Sequence, residues 1–180
     1  MPKVYPPHIG AATTMGVLIF HSMARWALLM ALLVAVFRAA RGVWGGRSYV
    51  RSDAVTAFVV VALADLQFVL GFVLYFWLSE TVRGARVSFA AAMRDRTLRF
   101  WAVEHLCLMV GAVLLVLVGG VLARRTADTM RRHRRSLWCF GLALLLVVVG
   151  IPWPFLGHGR PWLRVGQTAP SLLGGDIVVG

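Results

Sequence analysis

Four long apolar runs joined by short, arginine-rich connections constrain this chain more than any other feature. A helix crossing ~30 Å of hydrocarbon needs about 20 mostly apolar residues at ~1.5 Å each. The runs at 11–37, 54–79, 98–122 and 136–153 reach or approach that length. A soluble fold is excluded by composition: 59% of residues are hydrophobic and 14% charged, against roughly half and a quarter in soluble domains. The predicted fold is therefore all-α, a four-transmembrane-helix up-and-down bundle forming one membrane domain over 1–157. The last run closes at Pro152-Trp153-Pro154, which a helix does not easily continue through. The tail at 158–180 is rich in Gly and Pro, so its order is expected to depend on a partner. The first run is too long for a cleavable signal peptide and contains His21 and Arg25, so it is expected to remain as a span.

The 19 Lys+Arg against 7 Asp+Glu would suggest nucleic acid if they formed one stripe. They flank the apolar runs instead, which argues against nucleic acid and for a bilayer with anionic head groups. Trp44, Tyr49, Tyr75, Trp77, Trp101, Trp138 and Trp153 fall where aromatic belts are expected. The connections after the first and third runs carry ten cations and the opposite side eight, so the positive-inside bias puts both termini outside the cytoplasm. Between spans 2 and 3, Val87, Phe89, Ala90, Met93 and Leu98 recur at near-helical spacing. That segment reads either as a short interfacial helix or as an extension of the third span.

Ionisable groups inside hydrocarbon are costly and face a bundle interior, a cofactor or each other. Here they are His21 and Arg25 on the first span, Asp65 on the second, and Glu104 and His105 on the third, with Gln67 beside them. Counted from the shared membrane face, His21 and His105 lie within about one helical turn of the same depth. Two imidazoles at one level on diagonal helices meet the requirement of a bis-histidine b-type haem, and Met109 and Ala112 follow His105 on its own face. One histidine alone would serve as ligand to the magnesium of a chlorophyll-type pigment. The plainer reading of each is a hydrogen bond to a neighbouring helix.

Arg25 and Asp65 also match in depth, which predicts a buried structural ion pair between the first two spans. The functional alternatives are a haem propionate on Arg25, or a proton relay through Asp65 and Glu104. Glu104 otherwise pairs at the rim with Arg96 or Arg99, and Gln67, Gly71 and Tyr75 define a packing face. His8, His133 and His158 fall in or near connections and read as solvated or interfacial. Cys107 and Cys139 show no haem-attachment or zinc spacing and read as core fillers. No hydrolase or transferase motif is present, which favours a non-catalytic electron carrier or complex subunit over an enzyme.

The strings His21-Ser22-Met23-Ala24-Arg25-Trp26, Asp65-Leu66-Gln67, Gly71-Phe72-Val73-Leu74-Tyr75-Phe76, Arg99-Phe100-Trp101-Ala102-Val103-Glu104-His105 and Ile151-Pro152-Trp153-Pro154-Phe155 resemble those of small four-span bacterial membrane proteins described as cytochrome b-like. The resemblance runs from about His21 to Trp162. It implies the bacterial inner membrane, haem b on His21 and His105, and electron transfer between a quinol and a periplasmic carrier. Several members of that group carry histidine where this chain has Asp65, a departure that would leave the bundle as a scaffold if the group's haem used that helix. The competing expectation is a cofactor-free or pigment-binding accessory subunit of a respiratory or photosynthetic complex, contacting other membrane subunits. A third is a proton pathway through Asp65, Glu104 and His105.

Overall fold

The computed structural model describes residues 7–160, apart from the side chains of 7–9 and 11. His8 and most of the 158–180 tail therefore lie outside the described residues. The chain is a multi-pass, all-helical membrane protein whose four long apolar helices cover Ala12–Gly45, Arg51–Leu78, Arg96–Arg124 and Thr129–Gly150. Helix α1 (Pro7–Gly45) runs beyond the expected end at 37, because the good helix formers after Phe37 carry it on to Gly46, a glycine at φ +62°. Helix α2 (Arg51–Val73) ends in a turn of π-helix, Leu74–Leu78. Three short helices follow, α3 (Glu80–Val87), α4 (Phe89–Arg94) and α5 (Arg96–Arg99). A second π turn, Phe100–Glu104, leads into α6 (His105–Arg124). Helix α7 (Thr129–Gly150) begins where the Asp128 carboxylate accepts the Arg131 N–H at 2.6 Å.

Helix α1 packs on α2 and α7, and α6 packs on α7 and α2, so α1 and α6 face each other across the diagonal. Lipid tails are as apolar as leucine, so close packing holds such helices together, and small residues permit it. The core follows that rule: Ala35 on α1, Ala57, Val60 and Ala64 on α2, Ala112 and Val116 on α6, and Ala143 and Val147 on α7 are all buried. At the crossing of α6 and α7, a Cβ on Gly119 would stand 2.6 Å from Cys139 Cβ and 3.1 Å from the Phe140 ring. The connection between spans 2 and 3 is helical almost throughout. It buries Val82, Ala85 and Ala92 beside Ala102 and leaves Val87 and Phe89 exposed.

Two readings are corrected here. His133 is not solvated but 1% exposed, because Gly42 has no side chain and the imidazole occupies that space. Its ring packs 5.1 Å from Tyr49, over which the Arg132 guanidinium lies at 4.6 Å. Burial raises the Tyr49 phenol above its ordinary range against the opposing pull of Arg132, and keeps it neutral. Cys107 is not a core filler but exposed on the outer face of α6.

A Cβ on Gly42 would stand 2.3 Å from the His133 ring, too close to coexist with it. Gly42→Ala is expected to destabilise the bundle by ~1–3 kcal/mol, read as a lower thermal midpoint in detergent. His133→Ala in the Gly42→Ala background should recover part of the loss.

Candidate functional site

The chemistry of the site starts from a deficit at the end of α7. In an α-helix the carbonyl of residue i accepts from the N–H of residue i+4. Pro152 and Pro154 have no N–H, so the carbonyls of Val148 and Gly150 lose their usual donors. Two side chains replace them. The Trp153 indole donates to Val148 O at 2.9 Å, and His105 Nδ1–H donates to Gly150 O at 2.8 Å. The second bond fixes the tautomer of His105 and leaves Nε2 as the ring's lone pair.

His105 lines a cavity of about 80 Å³ together with His21, Gln67, Gly71, Tyr75, Met109, Ala112 and Val147. The two histidines predicted to share a level therefore share a cavity, from α1 and α6 across the diagonal. On the His21 side, the Gln67 amide donates to His21 Nε2 at 3.2 Å, and a Cβ on Gly71 would lie 3.3 Å from His21 Cε1. Phe68, Phe72 and Phe76 form the outer edge of the cavity and are 42–47% exposed, so it borders the lipid-facing surface between α2 and α6.

The first π turn lines the cavity through Tyr75 and Phe76, and the second leads directly into His105; such irregularities are frequent at functional sites. The Tyr75 hydroxyl, in the first turn, donates to the Ala102 carbonyl in the second at 2.9 Å. Arg86 donates to the Tyr75 carbonyl at 2.8 Å and lies 5.0 Å from the Tyr75 and Phe76 rings. His158 is not solvated but stacks on Phe100, ring centroids 3.7 Å apart, and Phe100 packs in turn against His105. The rim pair of Glu104 is with Arg99 at 2.7 Å, one of the two partners expected for it.

The expected Arg25–Asp65 pair does not occur among the ion pairs of the described residues. Helix α2 turns Ala64 and Gln67 inward, and at ~100° per residue this carries Asp65 round to the exposed face. Arg25 instead donates to Ser22 Oγ at 3.2 Å, lies 5.4 Å from the Trp26 ring and is within electrostatic range of His105. The buried acid that does pair is Asp53, which binds Arg38 at 2.7 Å and Arg47 at 2.9 Å and accepts the Val50 N–H at 2.9 Å. That cluster joins α1 to α2 at the other membrane face. The signal for it lay in the sequence, where Asp53 is the one acid among Arg38, Arg41, Arg47 and Arg51.

Among the described residues, no three His, Cys, Asp or Glu side chains gather to hold a bare metal ion. Two opposed imidazoles in an apolar wall suit a metal whose remaining donors come from its own macrocycle. The volume is below the ~300 Å³ of ordinary small-molecule sites, so a macrocycle enters only if Phe68, Phe72 and Phe76 swing outward, giving up their mutual ring contacts and that of Phe76 with Arg86. Comparison with family models, curated proteins and solved structures returned no match.

His105→Phe leaves the Gly150 carbonyl buried without a donor and is expected to cost the cofactor-free chain ~1–3 kcal/mol. His105→Asn, whose amide nitrogen sits near the place of Nδ1, should restore most of that loss in the same thermal melt.

Proposed function

We propose that the chain is a haem b-binding electron-transfer protein or subunit of the bacterial inner membrane, with its termini on the periplasmic side. One observation carries the reading: His21 and His105, on diagonal helices, wall the same apolar cavity. His105 already donates its second ring nitrogen to a carbonyl, the pattern that orients ligating imidazoles. His21 would exchange its bond from Gln67 for a bond to the metal, with Gly71 giving its ring room to turn. Arg25, one turn from His21, offers a cation to a propionate. When bound, the haem supplies a one-electron couple whose potential follows axial ligation and burial. The protein's own part is to orient two imidazoles, exclude water with phenylalanine and leucine, and keep the rim fixed through Tyr75 and Ala102. The outward Asp65 favours a second reading, an accessory subunit of a larger respiratory or photosynthetic complex that is cofactor-free or binds a pigment on one imidazole.

The test is a reduced-minus-oxidised visible spectrum of protein expressed with haem supplied. A sharp b-type α-band is expected in the wild type and its loss in His21→Ala and His105→Asn, the latter with the bundle still folded. Gln67→Leu removes the amide's bond to His21 Nε2 and should keep or strengthen the band. A flat wild-type spectrum overturns the proposal.

A further inference from the structure

Asp65 stands fourteen residues after Arg51 and thirteen before Leu78, at the middle of its span, with its side chain on the outside of the bundle. No head group reaches that depth, since either end of the span is ~20 Å away. A carboxylate in that position calls for something polar to cover it. The residues around it define the shape of the cover. Phe58, Ala62, Asp65, Val69, Phe72 and Phe76 are all exposed and recur at alternating steps of four and three. That spacing is the 3.5-residue repeat of a helix-pairing seam, and Ala62, one turn before Asp65, lets a second backbone approach closely.

We infer that this face of α2 docks a transmembrane helix of another protein that carries a lysine or arginine near mid-bilayer, paired with Asp65. Charge complementarity selects that occupant over a second copy of the chain. Among the described residues no span exposes a cation at this depth: Arg25, the nearest in depth, is half-buried and held against Ser22 and Trp26. A symmetric contact through the seam would therefore set carboxylate against carboxylate, and like charges disfavour it. The inference does not require a haem: Phe58, Ala62, Asp65 and Val69 do not line the cavity, and only Phe72 and Phe76 at one end of the seam are shared with its outer edge.

The experiment uses the full chain, donor-labelled at a terminus, in vesicles of zwitterionic lipid. The probes are two acceptor-labelled synthetic helices of alternating leucine and alanine, one with a single central lysine and one with leucine there. Energy transfer above random mixing is expected with the lysine helix alone, and an association about tenfold weaker for Asp65→Leu and Asp65→Asn. Both variants change an outward residue, and far-UV circular dichroism checks that they fold. Equal transfer with both helices, or transfer with the lysine helix unchanged in the variants, overturns the inference. So does Asp65-dependent transfer between two copies of the chain, which would give the seam to a homodimer.

Discussion

Inside hydrocarbon every backbone carbonyl needs a donor from the protein itself, and at the end of α7 side chains meet that requirement. Two prolines two residues apart withdraw two donors from the last turn. The indole of Trp153 and the imidazole of His105 supply them. The packing of α6 on α7 thus depends on a side chain that also faces the central cavity. The orientation of His105 is set by backbone chemistry whether or not a ligand is present, which leaves its other ring nitrogen as the lone pair.

Electrostatics divides the bundle by depth. At the α1–α2 connection, Asp53 gathers Arg38, Arg47 and the Val50 amide, so a buried charge is compensated on three sides. At the opposite face the cations serve carbonyls: Arg83 and Arg86 bond the carbonyls of Trp77 and Tyr75 at the C-terminal end of the second span, where the helix dipole favours positive charge. The middle of the membrane is left with two imidazoles, one amide, the Arg25 guanidinium and one outward carboxylate.

The number of spans and the common level of His21 and His105 were legible because length and depth along a helix follow from residue counting alone. Rotation about the helix axis was not. Asp65 and Arg25 match in depth, yet they point apart because Gln67 and Ala64 claim the inner face of α2. A polar glutamine and a small alanine give no apolar stripe from which to fix that phase. His133 was misread for a related reason: its neighbours in sequence are arginines, while the residue that buries it, Gly42, lies on another helix. Trp153 and His105 could have been placed by asking which carbonyls Pro152 and Pro154 deprive of a donor, a question answerable from spacing alone.

The two π turns, tied together by Tyr75 and Ala102, bear on how this protein can change over evolutionary time. A π turn holds one residue more than the α-helical turn it replaces. Losing a residue within Phe100–Glu104 could be absorbed by closing the turn to α, which would keep the arginine-rich rim near its present phase relative to His105, whereas the same loss in a regular α-helix would rotate it by ~100°. The rim and the buried half of the bundle are thus joined by a phase adjuster. A one-residue change there can be taken up locally, without turning the periphery or disturbing the helix contacts beneath.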